Sequence, residues 1–160
     1  MTLRTALFLA CLAISMAGTA QTPTPQAASP EPNAPFVMPD APKGTVPWTI
    51  LQQAKTVQKA DKKFGPEFTR EIKALDRKDV KLFGFMMPLD QARKQKRFLL
   101  AAYPPHCAFC LPSGPESLVE VLADTPVEFT MEPIVVAGRL AVLENDVVYY
   151  RLTNASAVQP

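Results

Sequence analysis

The 160-residue sequence is poor in the residues that usually advertise catalysis or nucleotide binding: one histidine, one tryptophan, six glycines and three cysteines. It has no Ser-His-Asp set, no HExxH and no glycine-rich phosphate loop, so the common hydrolase, zinc-protease and nucleotide-binding signatures are missing. No apolar run is as long as the ~20 residues a membrane-spanning helix needs. Charge is scarce and balanced, with 17 Lys and Arg against 15 Asp and Glu and a net of +2, too mild to make nucleic acid the main partner. A hydrophobic content of 48% excludes a wholly disordered chain.

Proline is what the sequence has in excess, 17 in all, and its placement divides the chain. Residues 1–20, MTLRTALFLACLAISMAGTA, carry Arg4, an apolar stretch from Leu7 to Ala17, and small residues at Gly18 and Ala20. That is the pattern of a cleaved secretory signal peptide. Cys11 follows Phe8-Leu9-Ala10 rather than a lipobox, and belongs to the discarded segment. Cleavage removes Arg4, lowers the net charge to +1, and leaves the cysteines Cys107 and Cys110 in a periplasmic or secreted protein with no transmembrane helix. Residues 21–47 hold eight prolines among Gln, Thr, Ala and Ser, a composition for a disordered, semi-rigid spacer.

The folded domain is expected over 48–155, with 156–160 as a C-terminal tail. Residues 48–63 contain no Gly or Pro and place Trp48, Leu51 and Ala54 on one helical stripe, with Lys55, Lys59 and Lys63 on another. The lysine row is read as a solvated face rather than a lipid or nucleic-acid contact. Strands are predicted at 80–89, 96–103, 116–123, 133–143 and 147–152, with a short extra one over Arg70 to Leu75. Gly138 marks a bulge, Glu144-Asn145-Asp146 a tight hairpin turn, and Arg93, Lys94, Lys96 and Arg97 a basic hairpin tip. The fold class is mainly β: a small OB-like barrel of five to six strands with one N-terminal helix, closed so that no sheet edge is left open.

Chemistry concentrates in Tyr103-Pro104-Pro105-His106-Cys107-Ala108-Phe109-Cys110-Leu111-Pro112-Ser113-Gly114-Pro115, a connection between two predicted strands. It contains both remaining cysteines and the only histidine. Three readings compete. A Cys107–Cys110 disulfide would shape a recognition loop, but so small a ring stabilises by only about 2 kcal/mol, against roughly 4.7 for a hundred-residue loop. A thiol–disulfide redox pair has the right spacing but lacks the helix N-terminus that lowers a thioredoxin-type thiol pKa. A metal site would use His106, Cys107 and Cys110 for zinc or copper(I), with Glu116, Met86 or Met87 as auxiliary donors. Met86 and Met87 have core packing as their ordinary alternative.

Several blocks together resemble the exported bacterial family called domain of unknown function 3299, DUF3299. They are Pro47–Leu51, Val80–Leu89, Phe98–Leu100, His106–Cys110 with its Pro-Ser-Gly-Pro exit, Val135–Leu140 and Tyr150–Leu152. The resemblance implies an exported protein without established catalysis. Because some members are encoded beside transport systems for metal ions, zinc in particular, it also implies metal handling with a membrane or periplasmic protein partner. Carried over residue by residue, it points to His106, Cys107 and Cys110. Many relatives follow a Cys-His pair with prolines where this chain has its second cysteine. The expectation is a non-enzymatic metal-handling accessory, with the disulfide-shaped binding module and the thiol redox protein as alternatives.

Overall fold

A computed structural model of the chain describes residues 39–105 and 114–158, within a compact unit running from Val37 to Pro160. The predicted signal sequence 1–20, Cys11 and most of the proline-rich stretch lie outside the described residues.

Helix α1, Trp48–Leu51, is a single turn entered from Pro47, and it leads into a hairpin of β1, Lys55–Gln58, and β2, Phe64–Glu67. The helix predicted over 48–63 therefore stops at Leu51. The stripe of Trp48, Leu51 and Ala54 was real burial, with Leu51 and Ala54 both in the core. The β-branched pair Thr56-Val57 favours extended chain, and Val57 pairs with Gly65 across the hairpin. The lysine row consequently wraps a hairpin instead of lining a helix. Helix α2, Arg70–Ala74, stands where a short strand was expected. Thr69 caps it, its hydroxyl accepting from the Ile72 amide at 3.3 Å, and Ile72 is fully buried.

Five strands then close a barrel: β3 (Asp79–Pro88), β4 (Lys94–Ala101), β5 (Leu118–Glu128), β6 (Ile134–Val142) and β7 (Tyr150–Val158). Their order around the barrel is β3-β4-β5-β7-β6, with β6 returning to β3. The neighbours are antiparallel except β5 and β7, which run parallel. This is the expected OB-like barrel, and its five strands coincide with the five main predicted ones. β7 continues through residues assigned to the tail, to Val158. The link between Val142 and Tyr150 is longer than a tight turn, and is held by the Leu143 amide donating to the Tyr149 carbonyl at 2.9 Å.

Alternation along the strands builds the core. Leu82 and Met86 on β3, Phe98 and Leu100 on β4, Val119 and Val121 on β5, Val136 and Leu140 on β6, and Tyr150 and Leu152 on β7 are buried in one cluster. Each large aliphatic or aromatic side chain so buried contributes roughly 1.5–3 kcal/mol. Phe68 packs on Tyr149 and Tyr150 with ring centroids 5.9 and 5.8 Å away. The Tyr150 hydroxyl donates to the Leu51 carbonyl at 2.7 Å, tying α1 to the barrel. Trp48 is tied to β3 by its indole N–H, which donates to the Phe83 carbonyl at 2.7 Å.

Gly138 lies at the register shift between Ala137 and Arg139 in the β6–β7 pair, the predicted bulge. The fold also begins before Trp48, because the Val46 amide donates to the Lys81 carbonyl at 2.8 Å and Val46 packs on the core. Among the described residues no helix is long and apolar enough to cross a membrane.

Candidate functional site

The β4–β5 connection carries the candidate ligands. His106, Cys107 and Cys110 themselves lie outside the described residues, but the structure describes both ends of their segment. Ala101 and Leu118 are register partners at the mouth of the connection. Immediately beyond them the Ala102 amide donates to the Ser117 carbonyl at 3.1 Å. Pro115–Ser117 form a 3-10 turn, started by the fixed φ of Pro115 and closed by the Ser117 amide donating to the Gly114 carbonyl at 3.0 Å.

One side chain from outside the barrel bridges the two ends. The Gln52 amide nitrogen donates to the Tyr103 hydroxyl at 3.3 Å and to the buried Ser117 hydroxyl at 2.9 Å. The segment therefore leaves the barrel and returns to it through a fixed mouth.

Entry and exit differ in chemistry. Pro105, bonded to His106, lines an apolar cleft of about 120 Å³ with Met86, Met87, Pro88, Phe129 and Met131. Met86 sits in the barrel core, whereas Met87 packs with Ala101 and Leu118 in a separate cluster. Core packing is thus the established role of both methionines, and both also border the cleft beside the segment's entry. Phe129 and the 70% exposed Met131 form its outer rim.

At the exit, half-buried Glu116 folds its carboxylate back over Gly114, so that a Cβ built there would meet Glu116 Oε2 at 2.5 Å. Burial raises the Tyr150 pKa well above the usual tyrosine value, and the negative charge of Glu116 pushes in the same direction. Met86 and Met87 are therefore gathered at the entry and Glu116 at the exit. Among the described residues no three His, Cys, Asp or Glu side chains converge to hold a metal ion. The Asp90 carboxylate accepts from the Ala92 amide at 2.8 Å and from Gln95 at 2.6 Å, so it caps its own turn.

Two of the four charges of the predicted basic tip are paired: Arg93 meets Glu128 at 2.7 Å, and Arg97 meets Glu120 at 2.6 Å. Glu120, only 3% exposed, also accepts from Arg151, which reaches Asp146 at 3.0 Å. Sequence inspection misses this network, because Arg151 on β7 meets Glu120 on β5 only through the parallel pairing of two strands that are not consecutive in the chain. The one local hint is Glu120 standing in the otherwise apolar stretch 118–123 of β5.

A family model described as "Protein of unknown function (DUF3299)" matches residues 31–156, taking in the hairpin, the whole β4–β5 connection and most of β7. Among solved structures, a DUF3299 family protein from Pseudomonas aeruginosa PAO1 is similar, with 23% sequence identity, 59% of this chain and 68% of that chain covered, and a TM-score of 0.48. No curated protein matches the sequence. With the family model spanning the hairpin and nearly all of the barrel, the chain belongs to the DUF3299 family.

Proposed function

We propose that the protein is an exported, non-enzymatic accessory that handles zinc or copper(I) through His106, Cys107 and Cys110, and that it serves a membrane or periplasmic transport system. The observation that carries this reading is the concentration of donors. Beyond the predicted signal sequence, the chain's only histidine and only two cysteines fall in one connection, whose two ends are clamped by Gln52 and by the Ala102–Ser117 hydrogen bond. Fixing the mouth lowers the entropy lost when the three donors gather on an ion. Two thiolates and an imidazole are a soft donor set suited to both metals, and a site of three protein donors leaves a position open for exchange with a partner. Thioethers of the entry cleft, Met86 and Met87, would favour copper(I) as auxiliary donors, and Glu116 would favour zinc.

The test is titration of the reduced protein from residue 21 with Zn(II) and Cu(I), beside a Cys107→Ser/Cys110→Ser variant. Stoichiometric binding lost in the variant supports the reading, and equal, weak binding by both proteins overturns it.

A second reading, a binding module whose loop is shaped by a Cys107–Cys110 disulfide, is favoured by one observation. The cleft beginning at Pro105 is rimmed by exposed Phe129 and Met131, apolar surface suited to a protein partner. Under that reading the two thiols are fully oxidised in the exported protein, and chelators leave partner binding unchanged. A thiol–disulfide redox role would instead show dithiol exchange above the uncatalysed rate.

A further inference from the structure

The β1–β2 hairpin is left over by the metal reading. It is a two-stranded sheet of its own, so each strand has one side that no other described strand pairs. Register decides which backbone groups face outward. The Lys59 amide donates to the Lys63 carbonyl at 2.8 Å, which makes these two a hydrogen-bonded pair. Alternation then makes Val57–Gly65 and Lys55–Glu67 the next hydrogen-bonded pairs. Thr56 opposite Pro66 and Gln58 opposite Phe64 are the pairs between them, whose backbone groups point away from the partner strand.

The two outer edges differ. On β2 the outward positions are Phe64 and Pro66, and Pro66 has no N–H to offer, which blunts that edge. On β1 they are Thr56 and Gln58, each presenting an N–H and a C=O. Both residues are exposed, and among the described residues neither backbone has a hydrogen-bond partner. One edge of the hairpin is therefore blocked and the other is open.

We propose that β1 takes an extended acidic segment of a partner protein as a third strand, which exchanges hydrogen bonds with Thr56 and Gln58 and sets carboxylates opposite Lys55 and Lys59. The backbone selects an extended chain, because only a strand supplies donors and acceptors at a two-residue spacing to match. The side chains select its composition. What an added strand meets directly is its register partners: Lys55, Val57 and Lys59 on one face, Thr56 and Gln58 on the other, with no carboxylate among them. A second copy of this chain, pairing edge to edge through all four outward groups, would set Val57 on Val57 but Lys55 against Lys59 twice. Like charges directly opposite destabilise a strand pair, so the lysines guard the edge against self-association. An acidic strand turns both of those contacts into attractions. Neither ammonium is already neutralised by an ion pair. Glu67 is the register partner of Lys55 without joining it in one, and Lys59 donates to the Glu144 carbonyl at 3.2 Å rather than to a carboxylate. The proposal is independent of the metal reading.

Amide NMR of the protein from residue 21 tests it, in titrations with the end-blocked peptides Thr-Glu-Thr-Val-Thr-Glu-Thr and Thr-Lys-Thr-Val-Thr-Lys-Thr. The expected result is a saturable shift centred on the Thr56 and Gln58 amides, whose exchange with solvent slows in the complex. The acidic peptide should bind about tenfold more tightly than the lysine peptide, from two reversed cross-strand charge pairs. A Lys55→Glu/Lys59→Glu variant should reverse that preference. Gln58→Pro removes one outward N–H while sparing the pairing with β2, as Pro66 does on the opposite strand, and should weaken binding at least about threefold. Unchanged thermal melts confirm that both variants keep the fold. No saturable shift, shifts centred away from β1, equal affinity for the two peptides, an unreversed preference in the charge-swapped variant, or undiminished binding by Gln58→Pro overturns the proposal.

Discussion

Glu120 on β5 and Arg151 on β7 are register partners in the parallel pair of the barrel, and the guanidinium donates directly to the carboxylate. Arg97 on β4 donates to the other carboxylate oxygen at 2.7 Å, so one nearly buried acid joins three adjacent strands. Burial alone would raise the Glu120 pKa; the hydrogen bonds and charges of Arg151 and Arg97 outweigh it and hold the carboxyl below the usual glutamate value. A carboxylate with a depressed native pKa adds stability that is present above its unfolded value, near 4.3, and is lost as pH falls through the native one. Glu120→Gln should therefore cost about 1–3 kcal/mol at pH 7. The difference from the unsubstituted protein should shrink steadily below about pH 4. Urea melts at pH 7 and pH 3 check this, and an equal deficit at both values would remove the ionised carboxylate from the account. Arg97, at 66% side-chain exposure, should matter less, with Arg97→Ala costing about 0–1 kcal/mol.

Tyr150 has the opposite pH signature. Its hydroxyl is buried on the Leu51 carbonyl, and burial, with the charge of Glu116, raises its pKa. An acid whose native pKa lies above its unfolded value near 10 contributes stability fully present below that value and lost as pH rises beyond it. Tyr150→Phe should cost about 0.5–1.5 kcal/mol at neutral pH, because it removes one of two hydrogen bonds to the Leu51 carbonyl, which keeps the Ala54 amide at 3.2 Å. It should also flatten the loss of stability above pH ~10. Thermal melts between neutral and strongly alkaline pH separate the two effects.

The close approach of β3 and β4 at Gly84 makes a sharper prediction. A Cβ at this position would lie 2.5 Å from the Ala101 carbonyl oxygen and 3.2 Å from both the Leu100 side chain and the Trp48 ring. The nearest obstacle is backbone, which cannot rotate away, so Gly84→Ala should destabilise by about 1–3 kcal/mol. Trp48 fluorescence should shift to the red in the native variant if the indole is displaced from the Phe83 carbonyl. An unchanged denaturation midpoint would mean that the strands separate more easily than the packing allows.

The barrel was legible because its strands show in the sequence as continuous or alternating apolar runs, β3 being buried without a break from Leu82 to Met87. Val119, Val121 and Ala123 on β5 are all buried in the core, and Glu120 between them faces the other way. The first hairpin was not legible. Trp48, Leu51 and Ala54 imitate a helical stripe, but they are buried by one turn of helix and the residues that follow it. The partner strand that makes Lys55–Gln58 extended begins at Phe64, just past the stretch that reads as helical. Helix α2 carried its signal openly in Thr69 followed by Arg-Glu-Ile-Lys-Ala, yet an apolar pattern of five residues is too short to distinguish a helical period from a strand. Of the candidate site, composition and order were readable: one histidine, two cysteines and framing prolines. The clamp was not, because Gln52 meets Tyr103 and Ser117 across sequence separations of 51 and 65 residues.

That clamp connects the fold to the proposed function. Gln52 supplies hydrogen bonds to both ends of the β4–β5 connection, and Ser117, 2% exposed, has no water at hand to replace its share. Gln52→Leu keeps comparable bulk at a half-buried position and removes both donors, which should cost about 1–2 kcal/mol of global stability. Its local effect should be larger than its global one. The Ser117 amide, which closes the 3-10 turn, and the Ala102 amide, which spans the mouth, should exchange with solvent at least tenfold faster while the Val119 and Val121 amides keep their protection. If His106, Cys107 and Cys110 bind an ion, the same substitution should weaken that binding, because the donors must then be gathered from a looser segment. Hydrogen exchange and metal titration on the one variant distinguish the cases. Faster exchange with weaker binding ties the clamp to the metal reading, faster exchange with unchanged binding confines it to the fold, and unchanged exchange removes Gln52 as the clamp.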